Sequence, residues 1–234
     1  MKLEGSVVLI TGANRGLGLE FAKQALAAGA RKVYAGARDP SKITLAGVIP
    51  VKLDVTSADD VATVASQCAD VTLLVNNAGI ARLGGVVEGD PAALLREQME
   101  TNLFGMFNLS HAFAATLGKN GGGAILNILS IVSWVGAPAL GAYAVTKAAA
   151  WGLTNELRLE LRAQGTQVVG LHAGFIDTDM ARGFDAPKTT PQDVVAQAYK
   201  AIAEGAEEVF VDEPTRQIHA GLSHSVYLKD VLAG

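Results

Sequence analysis

Cysteine is nearly missing from this chain: Cys68 is the single one in 234 residues. It cannot form an internal disulfide and has no metal-ligating neighbours, so it reads as a small apolar helix residue. The four histidines, His111, His172, His219 and His224, show no metal spacing, and ordinary core or surface places are expected of them. No metal site is expected. Charge is sparse, with 18% Asp, Glu, Lys and Arg and a formal net charge of −4. No Lys/Arg run forms a basic stripe, which argues against nucleic acid as a partner. No apolar run is long enough to cross a bilayer. The start, Met1-Lys2-Leu3-Glu4-Gly5, enters a strand-like run without a secretory leader. A soluble, cytoplasmic protein is expected. What the chain has in plenty is apolar: half its residues are hydrophobic, which excludes a disordered chain. This length suits one α/β domain, residues 1–234, with a sizeable core.

The order of segments gives the next clue. Ser6-Val7-Val8-Leu9-Ile10-Thr11 is a continuous apolar run, as in a parallel strand buried on both faces. Gly12-Ala13-Asn14-Arg15-Gly16-Leu17-Gly18 follows at once, then a helical pattern through Leu26 that Gly29 stops. Strand, glycine loop and helix form the context of a dinucleotide site. Glycines admit the pyrophosphate, and the helix N-terminus offers free N–H groups. The alternative is a structural tight turn. Lys32–Ala37 reads as the second strand, followed by Arg38 and Asp39. Arg15 and Arg38 suit a ribose 2′-phosphate, so NADP(H) is favoured over NAD(H), although Asp39 could pair with Arg38 or take the ribose. The connection from Ser41 to Gly47 is short for a helix.

Further strands are expected at Ile49–Leu53, Val71–Val75, Ala124–Leu126, Gln167–His172 and Glu208–Val211. Asp54, beside Val55, either accepts from an adenine amino group or caps the next helix with Thr56 or Ser57. Asn76-Asn77-Ala78-Gly79 ends the fourth strand, where ligands of open α/β sheets bind. Asp90-Pro91 opens a helix whose pattern runs through Asn102 to Leu117, and Asn102 needs a buried partner. Thr190-Pro191 opens another helix, and the tail from Pro214 to Leu232 reads as partly helical.

Ser130 follows the fifth strand, and Tyr143 and Lys147 lie one helical turn apart in an Ala-rich segment. A free tyrosine is a poor base, with a pKa near ~10. A neighbouring ammonium favours the phenolate, and Ser130 could hold the oxygen on which Tyr143 acts. The bland reading is a tyrosine and a lysine on a solvated helix face. Trp134 reads as a pocket wall and Trp151 as helix packing. Asp177 and Asp179 read as a helix cap.

Together, Thr11-Gly12-xxx-Gly16-x-Gly18, Asn76-Asn77-Ala78-Gly79, Asn102, Ser130 and Tyr143-xxx-Lys147 resemble the short-chain dehydrogenase/reductase family over nearly the whole chain. The resemblance implies a single-domain Rossmann fold: a doubly wound, seven-stranded parallel sheet with helices on both faces. It implies an active site of Asn102, Ser130, Tyr143 and Lys147 that moves hydride between a nicotinamide and a ketone, aldehyde or alcohol. Tyr143 would be the acid/base, Ser130 would hold the oxygen, Lys147 would lower the tyrosine pKa, and Asn102 would fix the lysine. Cofactor contacts are expected from Gly12, Asn14, Arg15, Gly16, Leu17, Gly18, Arg38, Asp54, Val55, Asn77, Ala78, Gly79, Tyr143, Lys147, Gly174, Ile176 and Thr178. A homodimer or homotetramer built on the long helices is also implied. One departure stands out: Ala173-Gly174 replaces the family's Pro-Gly, which should loosen that loop. The segment from Thr178 to Thr190 is short, so an open pocket is expected. The competing reading is a protein of this fold that senses NADP(H) without turnover.

Overall fold

The computed structural model describes residues 1–229; the end of the expected helical tail, through Leu232, lies outside them. The strands are β1 (Val7–Thr11), β2 (Lys32–Ala37), β3 (Ile49–Lys52), β4 (Leu73–Asn76), β5 (Ala124–Ile128), β6 (Gln167–His172) and β7 (Glu208–Phe210). They form one parallel sheet in the order β3-β2-β1-β4-β5-β6-β7. The order reverses between β1 and β4, which opens a crevice at the carboxyl ends of the strands. The helices are α1 (Gly16–Ala27), α2 (Ala58–Gln67), α3 (Pro91–Met99), α4 (Gly105–Lys119), α5 (Gly141–Leu161), α6 (Pro191–Glu204) and α7 (Glu213–Gly221).

Alternate residues of each strand feed two cores. Val8, Ile10 and Leu126 pack with Phe21 of α1 and Ile202 of α6. Leu9, Leu74 and Ile125 pack on the other face with Phe113 of α4 and Leu157 of α5. Cys68 is fully buried at the end of α2, and burial pushes its thiol up to about 12. Helix starts follow from the expected caps: Asp90 accepts from Ala93 N at 3.1 Å and Thr190 from Asp193 N at 3.1 Å, each with proline in the first turn. Between β2 and β3 there is only a short 3₁₀ turn, Pro40–Lys42.

Two features differ from the sequence reading. The helix expected from Asp90 to Leu117 is interrupted by a π-helical turn, Glu100–Phe104. That turn adds a residue and reorients Asn102; just after it, Gly105 lies so close to Val55 that a Cβ would come within 2.5 Å of Val55 Cγ2. Second, Asn76 and Asn127 form a polar bridge through the core. Asn76 Nδ2 donates to Asn127 Oδ1 (2.9 Å) and Ser110 Oγ (3.0 Å), and Asn127 Nδ2 donates to Thr154 Oγ1 (3.0 Å). This bridge ties β4 and β5 to α4 and α5 just below the carboxyl edge. It satisfies groups that would each cost about 1–3 kcal/mol if left unpaired.

Candidate active site

The glycine loop leaves β1 with Gly12 at φ +66° and Gly16 at φ +53°, a left-handed region open to glycine. A Cβ at Gly18 would run into the Gly12 carbonyl and sit 2.6 Å from Asn77 Nδ2, so Gly18 serves close packing of α1 on the loop. Arg15 precedes α1 without a side-chain cap, so Asn14, Arg15 and Gly16 lead to uncapped N–H groups. Leu17 is buried in the core; of the expected cofactor residues, it can offer only its main chain.

Asn77 and Ala78 are joined to this loop. Thr11 Oγ1 accepts from Asn77 N (3.0 Å) and Ala78 N (2.8 Å), while Asn77 Nδ2 donates to Thr11 O at 2.8 Å. The Asn77 amide is thus spent on protein. On the ribose side, Asp39 accepts from Ser41 N and Oγ and lies 3.7 Å from Lys42 Nζ. Of the two alternatives for Asp39, the pair with Arg38 does not form. Arg38 is exposed, has no ion pair among the described residues, and lines a cleft of about 510 Å³ with Thr56, Ile80 and Arg82. Asp54 turns to Thr56, accepting from its N (3.0 Å) and Oγ1 (2.7 Å), while Ser57 caps α2. Val55 is buried beside Gly105.

Asn102, 1% exposed, makes three bonds. Ile80 N donates to its Oδ1 (2.8 Å), and its Nδ2 donates to Ile80 O (2.9 Å) and Thr146 Oγ1 (3.0 Å). It therefore grips the residue before Lys147, not Lys147 itself. Lys147 is buried and donates to Ile128 O at 2.7 Å. Its Nζ lies 5.6 Å from the centre of the Tyr143 ring and close to Gly79. Ser130 is buried at the end of β5, its Oγ accepting from Val132 N at 3.3 Å. Tyr143 sits on the first turn of α5 beside it.

The electrostatics correct one expectation. Burial pushes the Tyr143 phenol up to about 12; the neighbouring Ser130 hydroxyl works in the opposite direction without winning. Burial also pushes Lys147 down to about 8. Lys147 Nζ donates to Ile128 O and lies 5.6 Å from the ring centre, and burial still keeps the phenol above its ordinary value.

The loop after β6 is better held than its missing proline implies. Gly174 N donates to Asp212 Oδ2 at 2.7 Å, and Asp212 Oδ1 caps α7 by accepting from Thr215 N and Oγ1. Ile176 bridges to Thr189, with Asp177 N donating to Thr189 O at 2.9 Å. Thr178 comes against Gly16. Asp179 accepts from Arg15 at 3.3 Å and also binds Arg182, so it is an ion-pair partner and not a helix cap. Trp134 is likewise not a pocket wall: it is buried, stacked on His172 and edge-on to Trp151. Asp212 and His172 carried no motif that would have singled them out. Among the described residues no three His, Cys, Asp or Glu side chains gather to hold a metal, and no helix is long and apolar enough to cross a membrane.

Comparison with known proteins places this geometry. The family model described as short chain dehydrogenase matches residues 6–189. Galactitol 2-dehydrogenase (L-tagatose-forming) of Cereibacter sphaeroides is 35% identical over 190 residues, 76% of this chain and 74% of that one. A 3-oxoacyl-acyl-carrier-protein reductase of Vibrio cholerae is 31% identical over 81% of each chain. A short chain dehydrogenase from Burkholderia cenocepacia, solved in complex with NADP, superposes with a TM-score of 0.93 at 38% identity, covering 98% of this chain and 100% of that one.

The double role of Asp212 can be checked directly. Asp212→Ala should cost about 1–2 kcal/mol in denaturant unfolding and speed hydrogen exchange at the Gly174 amide. Unchanged exchange there would reduce Asp212 to a helix cap.

Proposed function

The chain belongs to the short-chain dehydrogenase/reductase family, and from that we propose that it is an NADP(H)-dependent oxidoreductase that interconverts a small-molecule ketone or aldehyde with its alcohol. The observation that carries this is the grouping of Ser130, Tyr143 and Lys147 at the crevice, braced by Asn102. The groove suits a dinucleotide: the α1 N-terminus is uncapped, and a Cβ at Gly16 would meet only Thr178. Gly12, Asn14, Arg15, Gly16 and the main chain of Leu17 and Gly18 would line the diphosphate. Arg38, Asp54 and Val55 would face the adenosine, and Ala78, Gly79, Gly174, Ile176 and Thr178 the nicotinamide half. When bound, the nicotinamide supplies or accepts the hydride.

The chain's own part is to hold an oxygen and move a proton. In reduction, Ser130 and Tyr143 hold the carbonyl oxygen. Burial keeps the phenol protonated, which suits Tyr143 as the proton donor. The phenolate left behind is stabilised by the Lys147 charge, in a site that needs no reorganisation. Lys147, pushed down to about 8, can in turn pass a proton near neutral pH. Asn102 fixes the first turn of α5 through Thr146. In oxidation the same groups run in reverse.

NADP(H) is preferred in this reading because Arg38 is free of ion pairs among the described residues while Asp39 is committed to Ser41 and Lys42. The proposal includes a cytoplasmic location, consistent with a single buried cysteine. It also includes a homodimer or homotetramer. Phe104 and Phe107 by α4, with Val145 and Leu159 on α5, are exposed apolar side chains suited to a second copy.

A panel of ketones and aldehydes, followed at 340 nm with NADPH, tests the activity. On a substrate so found, Tyr143→Phe should lose at least about 10²-fold in kcat while NADPH binding persists; wild-type-like turnover would refute the role of Tyr143. Tight NADPH binding without oxidation of any panel member would instead make the protein a sensor. kcat/KM should favour NADPH over NADH, and Arg38→Ala should narrow that preference by about tenfold. A native preference for NADH would overturn the assignment. Light scattering should give a dimer or tetramer that Phe107→Glu weakens; a monomeric wild-type protein would remove that part.

A further inference from the structure

Beneath Ser130 lies a charged cluster, half-buried at Arg158 and Glu208, that the chemistry above does not use. His172, the last residue of β6, is fully buried. Its Nδ1 lies 3.2 Å from the Ser130 main-chain oxygen, and its Nε2 lies 3.1 Å from Glu208 Oε2. The second approach is an ion-pair contact and not a straight hydrogen bond; neither atom has another polar partner among the described residues. Glu208, at the start of β7, also accepts from Arg158 at 2.6 Å. Arg158 belongs to α5, the helix of Tyr143 and Lys147. It is held further by Val168 O (3.1 Å), Glu207 O (2.7 Å) and Asn155 Oδ1 (2.6 Å). Gly170 makes the room: a Cβ there would lie 3.1 Å from Arg158 and 3.2 Å from Glu208 Oε2. The Trp134 ring covers one face of the imidazole, centroids 3.9 Å apart and planes at 20°. Phe210 lies 6.0 Å away, and His219 of α7 stacks on Phe210.

The partners decide where the protons are. A carbonyl oxygen only accepts, so Nδ1 must carry hydrogen to bond Ser130. An ionised carboxylate also only accepts, and a lone pair on Nε2 would face it repulsively. Burial acts to protonate Glu208, but His172 and Arg158 outweigh it and hold the carboxyl below its ordinary range. Both ring nitrogens thus face acceptors. The charged groups around the ring are Glu208 from β7 and Arg158 from α5; His219 of α7 stands beyond Phe210.

We propose that His172 is a positioning residue for Ser130: packed between Trp134 and Glu208, with Arg158 behind, it grips the Ser130 carbonyl through Nδ1–H and thereby sets the hydroxyl beside Tyr143. The next residue helps, since Ser130 Oγ donates to Ala173 O at 3.4 Å and Ile131 N to the same oxygen at 2.9 Å. β6 therefore holds Ser130 by its carbonyl, its hydroxyl and its neighbour's amide. The role assigned to His172 rests on the roles proposed above for Ser130 and Tyr143; the hydrogen on its Nδ1 does not.

The test has a spectroscopic and a kinetic arm. His111, His219 and His224 are exposed, so replacing each in turn with asparagine assigns its own imidazole signals and leaves those of His172 identified in the unaltered protein. In ¹⁵N spectra of the intact protein, His172 Nδ1 should carry a hydrogen. A bare Nδ1 in the unaltered protein overturns the proposal. In the kinetic arm, His172→Leu should lower kcat for NADPH-dependent carbonyl reduction about tenfold or more, with the Kd for NADPH unchanged. His172→Asn, whose amide can still donate to Ser130, should recover most of that loss. Equal kcat in the leucine, asparagine and unaltered proteins, or equal losses in both variants, also overturns it. If the leucine variant does not fold, the asparagine variant and the spectrum of the intact protein still decide. A protein inactive on every carbonyl yet showing hydrogen on His172 Nδ1 would remove the proposed activity alone. Carbonyl reduction by a protein whose His172 Nδ1 is bare would remove the role of His172 alone.

Discussion

The carboxamide of Asn102 is the point on which the crevice closes. One side chain binds both main-chain groups of Ile80 and the hydroxyl of Thr146. It joins the loop after β4, the junction of α3 and α4, and the first turn of α5. A regular helix through this region would carry that amide elsewhere; the π-helical turn brings it inward. The local cost is a poorer hydrogen-bond ladder over one turn. In return, three segments distant in sequence share a single anchor, and Lys147 and Tyr143 inherit its position.

Burial supplies most of the electrostatic character of the site. Tyr143 and Lys147 move in opposite directions for the same reason, because a low-dielectric setting disfavours each charged form. The phenol keeps its proton and the amine holds its own less firmly. Free tyrosine and lysine hold a proton about equally well; here the phenol, at about 12, holds its own more tightly than the amine, at about 8. The polar bridge of Asn76, Asn127, Ser110 and Thr154 lies below them and keeps the two central strands from sliding against α4 and α5.

Much of this architecture was legible in residue order. β2 and β6 have the bounds that their apolar runs mark, and the caps at Asp90 and Thr190 form as their Asp-Pro and Thr-Pro pairs require. The Gly12–Gly18 loop, Asn102, Ser130, Tyr143 and Lys147 were found because their chemistry is local or their spacing periodic. What escaped was set by contacts between distant strands. The π-helical turn leaves no mark in a 3.6-residue pattern. Asp212 meets Gly174 across 38 positions and His172 meets Ser130 across 42. Trp134 reads as a wall because it sits in an apolar loop next to the site, whereas tertiary packing turns it inward over His172. The direction of the Tyr143 shift was also hidden, since it depends on how deeply the phenol lies and on which way the lysine points.

The chain's one thiol, Cys68, lies wholly inside and far above its usual proton affinity. Thiolate is the reactive form, so thiol-directed alkylating reagents find no purchase on Cys68 in the folded molecule. A cysteine introduced at any exposed position would therefore be its sole reactive thiol, and a fluorophore, spin label or solid support could be attached there at a defined stoichiometry.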